Sequence, residues 1–229
     1  VEIRNLRLST LIISLFFILN FGSASVFADM SGHGGVVRAL DISPDGSKVL
    51  SGSFDFTARL WSFSDQNEIA VLDAHGGPVT SVVFVGDGSR ALTASDDKTA
   101  ILWDLKTFRP LKHLKGHSHK VMGLAVSENG MLAVTGSWDH TIRLWNLNSG
   151  KTLRIFRHTS PVNAVVFARD GDFIIAGGHD GKIQIWDNKT GYSQKILEGH
   201  FMGITGLSVS SDGRRLISSS IDKTIRLWD

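Results

Sequence analysis

A histidine, a hydroxyl-bearing residue, an aspartate and a tryptophan recur along this 229-residue chain. His33, Ser51, Asp55 and Trp61 return as His75, Thr93, Asp97 and Trp103, then as His117, Thr135, Asp139 and Trp145. They return again as His158, Ala176, Asp180 and Trp186, and as His200, Ser218, Asp222 and Trp228. The steps are always 18, 4 and 6 residues. A hydroxyl, an imidazole and a carboxylate are the parts of an acyl-transfer triad: nucleophile, general base and orienting group. Recurrence argues against that chemistry. A catalytic site needs one special constellation in a cleft, whereas here every copy matches except the fourth, where Ala176 has no hydroxyl. A buried indole N–H and a buried carboxylate both need hydrogen-bond partners, and the repeated set supplies them.

Other candidates for chemistry are weaker. His113, His117 and His119 lie close in sequence, but His117 belongs to the recurring set. The other two read as solvated residues on an outer strand and a loop, so no metal site is expected. The chain has no cysteine, which excludes disulfides, thiolate zinc sites and a covalent c-type haem within it. There is no glycine-rich phosphate loop and no pair of carboxylates outside the repeats. No cofactor and no catalytic residue is expected. Lys+Arg number 24 against 22 Asp+Glu, with no basic stripe, so a nucleic-acid partner is not expected.

The elements that position the recurring set can be read from columns counted from each His. Position +4 holds Val37, Val79, Val121, Val162 and Ile204; position +7 holds Leu40, Val82, Leu124, Val165 and Leu207; position +9 holds Ile42, Phe84, Val126, Phe167 and Val209. Steps of three and then two do not fit an unbroken strand, whose faces alternate with period 2. They predict a strand with a β-bulge near +5. Asp-Gly or Asn-Gly follows in every repeat, as in Asp45-Gly46 and Asn129-Gly130, a pair suited to the positive φ of a hairpin turn. A second strand then runs through the hydroxyl column, and a tight turn at the Asp leads to a third. Its inward positions read Ala58/Leu60, Ala100/Leu102, Ile142/Leu144, Ile183/Ile185 and Ile225/Leu227. A more variable fourth strand follows each Trp except the last. Four antiparallel strands per repeat make one blade of a β-propeller.

The Trp-to-Trp distances of 42, 42, 41 and 42 residues, with a Gly-His start and a Trp-Asp end, give the chain from Gly32 to Asp229 a close resemblance to the WD40 repeat family. The resemblance implies an all-β WD40 β-propeller with five repeats of four-stranded antiparallel blades. It also implies that the recurring set is structural: Asp holds His, His reaches the hydroxyl, and the hydroxyl reaches the Trp Nε1–H. Blade 4, with Ala176, is then the weakest. Family rings typically have seven blades, so five repeats read as an incomplete six- to eight-bladed ring lacking about two repeats. The alternative is an open or five-bladed ring closed by self-association. Val26–Met30 falls where an outer strand would precede His33.

Family members often contact partners through His+3, His+5 and the residue before the Asp. On those columns the expected partner-binding face comprises Arg38, Phe54, Asp96, Lys120, Met122, Trp138, Asn163, His179 and Ile221. Among these, Phe54, Met122, Trp138 and Ile221 are expected as apolar residues at exposed turns, an arrangement suited to a protein or peptide partner.

The first 28 residues differ in kind. Arg4 and Arg7 precede an apolar run from Leu11 to Phe21, and small residues follow at Gly22-Ser23-Ala24 and Val26-Phe27-Ala28. This order predicts a secretory signal peptide cleaved after Ala24 or Ala28, a propeller over 29–229, no membrane span after cleavage, and a periplasmic or secreted location. The expected function is an exported, non-catalytic scaffold. The alternative rests on the opening "SGHGGVVRALDISPDGSKVLSGSFD", which is similar to bacterial propellers joined to a cytochrome c domain. That resemblance implies the propeller part of a periplasmic redox protein.

Overall fold

The computed structural model describes residues 29–168 and 171–229; the expected signal peptide at 1–28 lies outside them. Among the described residues, nineteen strands fold into five sheets within the compact unit Gly32–Asp229. Blade 1 consists of β1 (Val37–Ile42), β2 (Lys48–Ser53), β3 (Ala58–Ser62) and β4 (Glu68–Leu72). Blade 2 is β5 (Val79–Val85), β6 (Arg90–Ser95), β7 (Ala100–Asp104) and β8 (Arg109–Leu114). Blade 3 is β9 (Val121–Val126), β10 (Leu132–Ser137), β11 (Thr141–Asn146) and β12 (Lys151–Arg157). Blade 4 is β13 (Val162–Ala168), β14 (Phe173–Gly178), β15 (Ile183–Asp187) and β16 (Ser193–Leu197). Blade 5 holds β17 (Ile204–Val209), β18 (Leu216–Ser220) and β19 (Ile225–Trp228), three strands where each of the other blades has four. Asp29 and Met30 carry no strand, and the rest of the Val26–Met30 segment lies outside the described residues.

Each blade is an antiparallel meander in chain order. The expected bulge occurs in all five first strands. The pairing register slips across Arg38, Thr80, Met122, Asn163 and Thr205, which are the His+5 residues. The extra residue turns its side chain out of the alternation. The hairpin glycines Gly46, Gly88, Gly130, Gly171 and Gly213 all have φ between 65° and 95°, the conformation that their Asp-Gly or Asn-Gly sequences anticipate.

The apolar cores lie between blades. In the first, Leu50, Ala58, Leu60 and Leu72 of blade 1 meet Val79, Val82 and Phe84 of blade 2. The pattern recurs between blades 2 and 3, 3 and 4, and 4 and 5. Burying one such Val, Leu or Phe contributes about 1.5–3 kcal/mol, so the blades depend on their neighbours. A small residue on the second strand allows the close approach. A Cβ added to Gly52 would fall 2.7 Å from Val79 and 2.8 Å from Val82, and one added to Gly136 would fall 2.6 Å from Val162.

The two end blades break the pattern. Val37, Leu40 and Ile42 are 46%, 68% and 56% exposed, while Val79, Val82 and Phe84 in the same columns are buried. Ile217, Ile225 and Leu227 are 48%, 75% and 64% exposed, while Leu50, Ala58 and Leu60 are wholly buried. The expectation that Ile225 and Leu227 point into a core is therefore corrected. Among the described residues no further blade covers them. No helix among the described residues is long and apolar enough to cross a membrane.

Candidate functional site

The recurring set forms the network its types suggested. In blade 1, His33 Nδ1 lies 2.8 Å from Asp55 Oδ2 and Nε2 lies 2.7 Å from Ser51 Oγ, while Trp61 Nε1–H donates to Ser51 Oγ at 2.8 Å. Blade 2 repeats this at 2.7, 2.7 and 2.9 Å through His75, Asp97, Thr93 and Trp103. Blade 3 repeats it at 2.8, 2.7 and 2.8 Å through His117, Asp139, Thr135 and Trp145. Blade 5 does so at 2.8 Å throughout, with His200, Asp222, Ser218 and Trp228. With a neutral imidazole the directions are set by the acceptors. Nδ1–H donates to the carboxylate, the hydroxyl donates to Nε2, and the indole donates to the hydroxyl.

This geometry holds the fold together and leaves no free nucleophile. Ser51, Thr93, Thr135 and Ser218 are buried, and their oxygens already accept an indole N–H. Each carboxylate takes further donors: Asp55 accepts from Gly34 N at 2.9 Å and from Thr57 Oγ1 at 2.7 Å. Burial pushes the carboxyls of Asp55, Asp97 and Asp139 up. The hydrogen bonds from histidine and threonine outweigh it and hold all three well below the usual carboxylate range.

Blade 4 is rewired more thoroughly than Ala176 alone implies. Asp180 Oδ2 accepts from Thr159 Oγ1 at 2.7 Å, the role played elsewhere by Thr57, Thr99, Thr141 and Thr224. Asp180 N donates to Ser160 Oγ at 3.2 Å, where the other blades use Ser53, Ser95, Ser137 or Ser220. The corresponding residues in blade 4 are Lys182 and Gly178, so both hydroxyls have moved to the loop after His158. A Cβ on Gly178 would fall 2.4 Å from Ser160 Oγ. The sequence signal was present in Thr159-Ser160 beside Gly178, but only the fold shows that one exchange answers the other. His158 Nδ1 now accepts from Ser160 N at 3.2 Å, and buried Nε2 has no hydrogen-bond partner. Burial pushes the His158 imidazole down, partly opposed by the charge of Asp180.

The bulges and tight turns converge at one end of the central channel. Arg38, Met122, Trp138, Asn163, His179 and Ile221 all line a cavity of about 590 Å³. Phe54, Asp96 and Lys120 do not line it. Phe54 and Ile221 are each 46% exposed, whereas Trp138 and Met122 are half-buried, which corrects their expected exposure. The Trp138 ring is held on several sides. His119 stacks on it at 5.8 Å, His179 meets it edge-on at 6.2 Å, and Lys120 Nζ lies 3.8 Å from its centroid. Trp138 Nε1–H donates to Asn163 Oδ1 at 2.9 Å. Lys120 Nζ also approaches Asp96 Oδ2 at 3.9 Å. His119 is an exposed loop residue, as the sequence suggested, and it also stacks on the Trp138 ring. Two bulge side chains tie blades together. Thr80 Oγ1 donates to Val121 O at 2.6 Å, and Asn163 Nδ2 donates to Ile204 O at 2.9 Å.

Five repeats of three or four strands, four of them with a locked His–Asp pair and each sharing a core with a neighbour, define a β-propeller of the repeat type. The WD domain, G-beta repeat family matches residues 25–62, 66–104, 108–146, 150–187 and 191–229, and the chain belongs to that WD40 family. Among similar proteins, the LEC14B protein of Lithospermum erythrorhizon is 43% identical over 83 residues, which is 34% of this chain and 18% of that protein. The nuclear distribution protein PAC1 of Arthroderma otae is 34% identical over 91 residues, 36% of this chain and 20% of that protein. The serine-threonine kinase receptor-associated protein of Mus musculus is 37% identical over 82 residues, 35% of this chain and 23% of that protein. The matched stretch thus spans about a fifth of each relative's length.

Proposed function

We propose that this WD40 protein is a non-catalytic scaffold that binds a protein or peptide partner at the channel mouth lined by Arg38, Met122, Trp138, His179 and Ile221. The observation that carries the reading is the convergence of bulge and turn residues from all five blades on one cavity. An apolar centre bordered by an arginine is the make-up of an interaction hot spot. A relative whose printed name describes it as receptor-associated fits such a role. Because Trp138 is already gripped by its neighbours, Ile221 and Arg38 offer the more accessible contacts.

The test is partner capture with four proteins: wild type, Ile221→Asp, Arg38→Glu, and Glu128→Lys at the opposite mouth. The reading expects the same captured partner for wild type and Glu128→Lys, and its loss from the other two. Equal capture by all four would overturn it.

Export is part of the proposal, supported by the Arg4/Arg7, apolar and small-residue order of the first 28 residues. Mass spectrometry of the mature N-terminus tests it: a terminus after Ala24 or Ala28 is expected, and an intact Val1 on soluble cytoplasmic protein overturns it. The redox alternative rests on the opening segment's resemblance alone and is not part of the proposal. The chain builds five blades, in place of the incomplete ring of six to eight that was expected first.

A further inference from the structure

We propose that the outer cleft between blades 2 and 3 is a second interaction surface, where Arg143 takes a carboxylate from an extended acidic segment of a protein partner. The cleft is distinct from the channel mouth and does not rest on that reading.

Blade 1 contains the template. Arg59, on its third strand, lies against Gly32: a Cβ added to that glycine would fall 2.6 Å from Arg59 Nη1. From this place Nη1–H donates to Glu68, which stands opposite Trp61 on the outer strand β4. Blade 3 repeats the first half of the arrangement. Arg143 occupies the same column, and a Cβ added to Gly116 would again fall 2.6 Å from its Nη1. The second half is missing. The residue opposite Trp145 on β12 is Thr152, which carries no charge. Arg143 makes no hydrogen bond or ion pair with any described residue, and its Nε is buried without a partner.

The surroundings select the same ligand. The chain as a whole is near balance, with 24 Lys and Arg against 22 Asp and Glu. From Leu105 to Arg157, however, stand nine Lys or Arg and only two acids, Glu128 and Asp139. Asp139 is held in the His117 network, and Glu128 borders the opposite mouth of the channel. Lys112, on β8, reaches across to blade 3, where a Cβ added to Gly150 would fall 3.3 Å from its Cδ. Arg157 lies two residues along β12 from Ile155, the register partner of Arg143. Lys112 and Arg157 are exposed, and neither has an ion-pair partner among the described residues. Ile155 is exposed as well, whereas Leu102, Leu114, Val121 and Trp145 close the core beneath, so the cleft opens outward. Charge on outer strands also discourages pairing with other sheets, which accounts for Lys112 and Arg157. It does not account for Arg143, on the third strand. The ligand that fits is the one blade 1 already holds, a carboxylate borne on an extended strand. Lys112, Arg143, Ile155 and Arg157 include no aromatic ring on which a nucleic-acid base would stack.

The test is fluorescence anisotropy on the whole chain with a labelled alternating Glu-Val peptide, beside an alternating Lys-Val peptide and a single-stranded oligonucleotide. Wild type is expected to bind the Glu-Val peptide, less tightly as salt rises, and neither of the others. Lys112→Glu/Arg157→Glu alters two exposed residues and is expected to fold as wild type does. Its affinity should fall by about tenfold or more, the worth of one charge-assisted hydrogen bond. Thr152→Glu should lose as much while melting no lower, because it supplies the blade 1 acid to Arg143 from within. Lys195→Glu, a charge reversal on the outer strand of blade 4, should bind as wild type does. A wild type that does not bind the Glu-Val peptide would overturn the proposal. So would undiminished binding by Thr152→Glu or by the Lys112/Arg157 variant, an equal loss in Lys195→Glu, or tighter binding of the oligonucleotide.

Discussion

The indole N–H of Trp138 donates to Oδ1 of Asn163 at 2.9 Å, joining the tight turn of blade 3 to the bulge of blade 4. Asn163 passes the link on to the Ile204 carbonyl at the start of blade 5. The line binds three blades at the channel mouth. Trp138→Phe keeps the ring but loses the donor, and should cost about 1 kcal/mol. Asn163→Ala should cost more, about 1–3 kcal/mol, since it strands the indole N–H and the Ile204 carbonyl together. A double-mutant cycle in denaturant should give a coupling clearly different from zero. Additive losses would mean the bond contributes nothing.

Trp145 stands seven residues away and has a different task. Its side chain is buried, and its N–H is bonded to Thr135. Trp145→Ala should lose about 3–5 kcal/mol through the cavity it leaves, enough to unfold a marginal domain. Thermal melts of Trp138→Phe and Trp145→Ala side by side should separate clearly, the second melting far lower.

Removing one carboxylate tests the network. Asp139 accepts from His117 Nδ1, Ser118 N, Thr141 N and Thr141 Oγ1. Asp139→Ala leaves these donors without their acceptor, and should destabilise by about 2–4 kcal/mol in denaturant melts. A loss no larger than that of an exposed surface substitution would show that the network adds little.

In blade 4 a gain is expected. Ala176→Ser places a hydroxyl between His158 Nε2, which has no partner, and the indole of Trp186. Stability should rise by up to about 1 kcal/mol, the net worth of one hydrogen bond less the fitting of one oxygen. The same melts check it, and a clear loss would show that the site has no room for the atom.

His158 also makes a pH prediction. Its folded pKa lies below its ordinary value of about 6.5 because burial disfavours the charged ring. Between the two values the unfolded chain binds more protons, so stability is complete above about pH 6.5 and declines as pH falls below it. Asp55, Asp97 and Asp139 are also depressed, but they act in a separate window. Their contribution is full above about pH 4 and is lost only in stronger acid. Melts from pH 7.5 to 4.5 should show a slope in wild type that flattens in His158→Gln. An unchanged slope would place the proton elsewhere.

Repeat spacing determined the strands of a blade, the bulge at His+5 and the Asp-Gly turns, because one strand's face and one turn's φ are local matters fixed by residue type at a constant offset. The resemblance carried by those repeats implied the partners within the His–Asp–hydroxyl–Trp set, which blades 1, 2, 3 and 5 keep and blade 4 does not. Only the tertiary structure decided which side chains are already spent. Trp138 reads as an exposed anchor until His119, Lys120, His179 and Asn163 close on it from separate loops and blades. Asn163 reads as a contact residue until its amide bridges to Ile204. Thr159 and Ser160 read as ordinary loop residues until folding brings them to Asp180, 21 and 20 residues away, in place of hydroxyls that blade 4 lacks. The exposure of Val37, Leu40 and Ile42 in blade 1 and of Ile217, Ile225 and Leu227 in blade 5 is invisible in the same way. Their columns are apolar like those of their buried counterparts, and burial depends on what stands opposite, which no single repeat encodes.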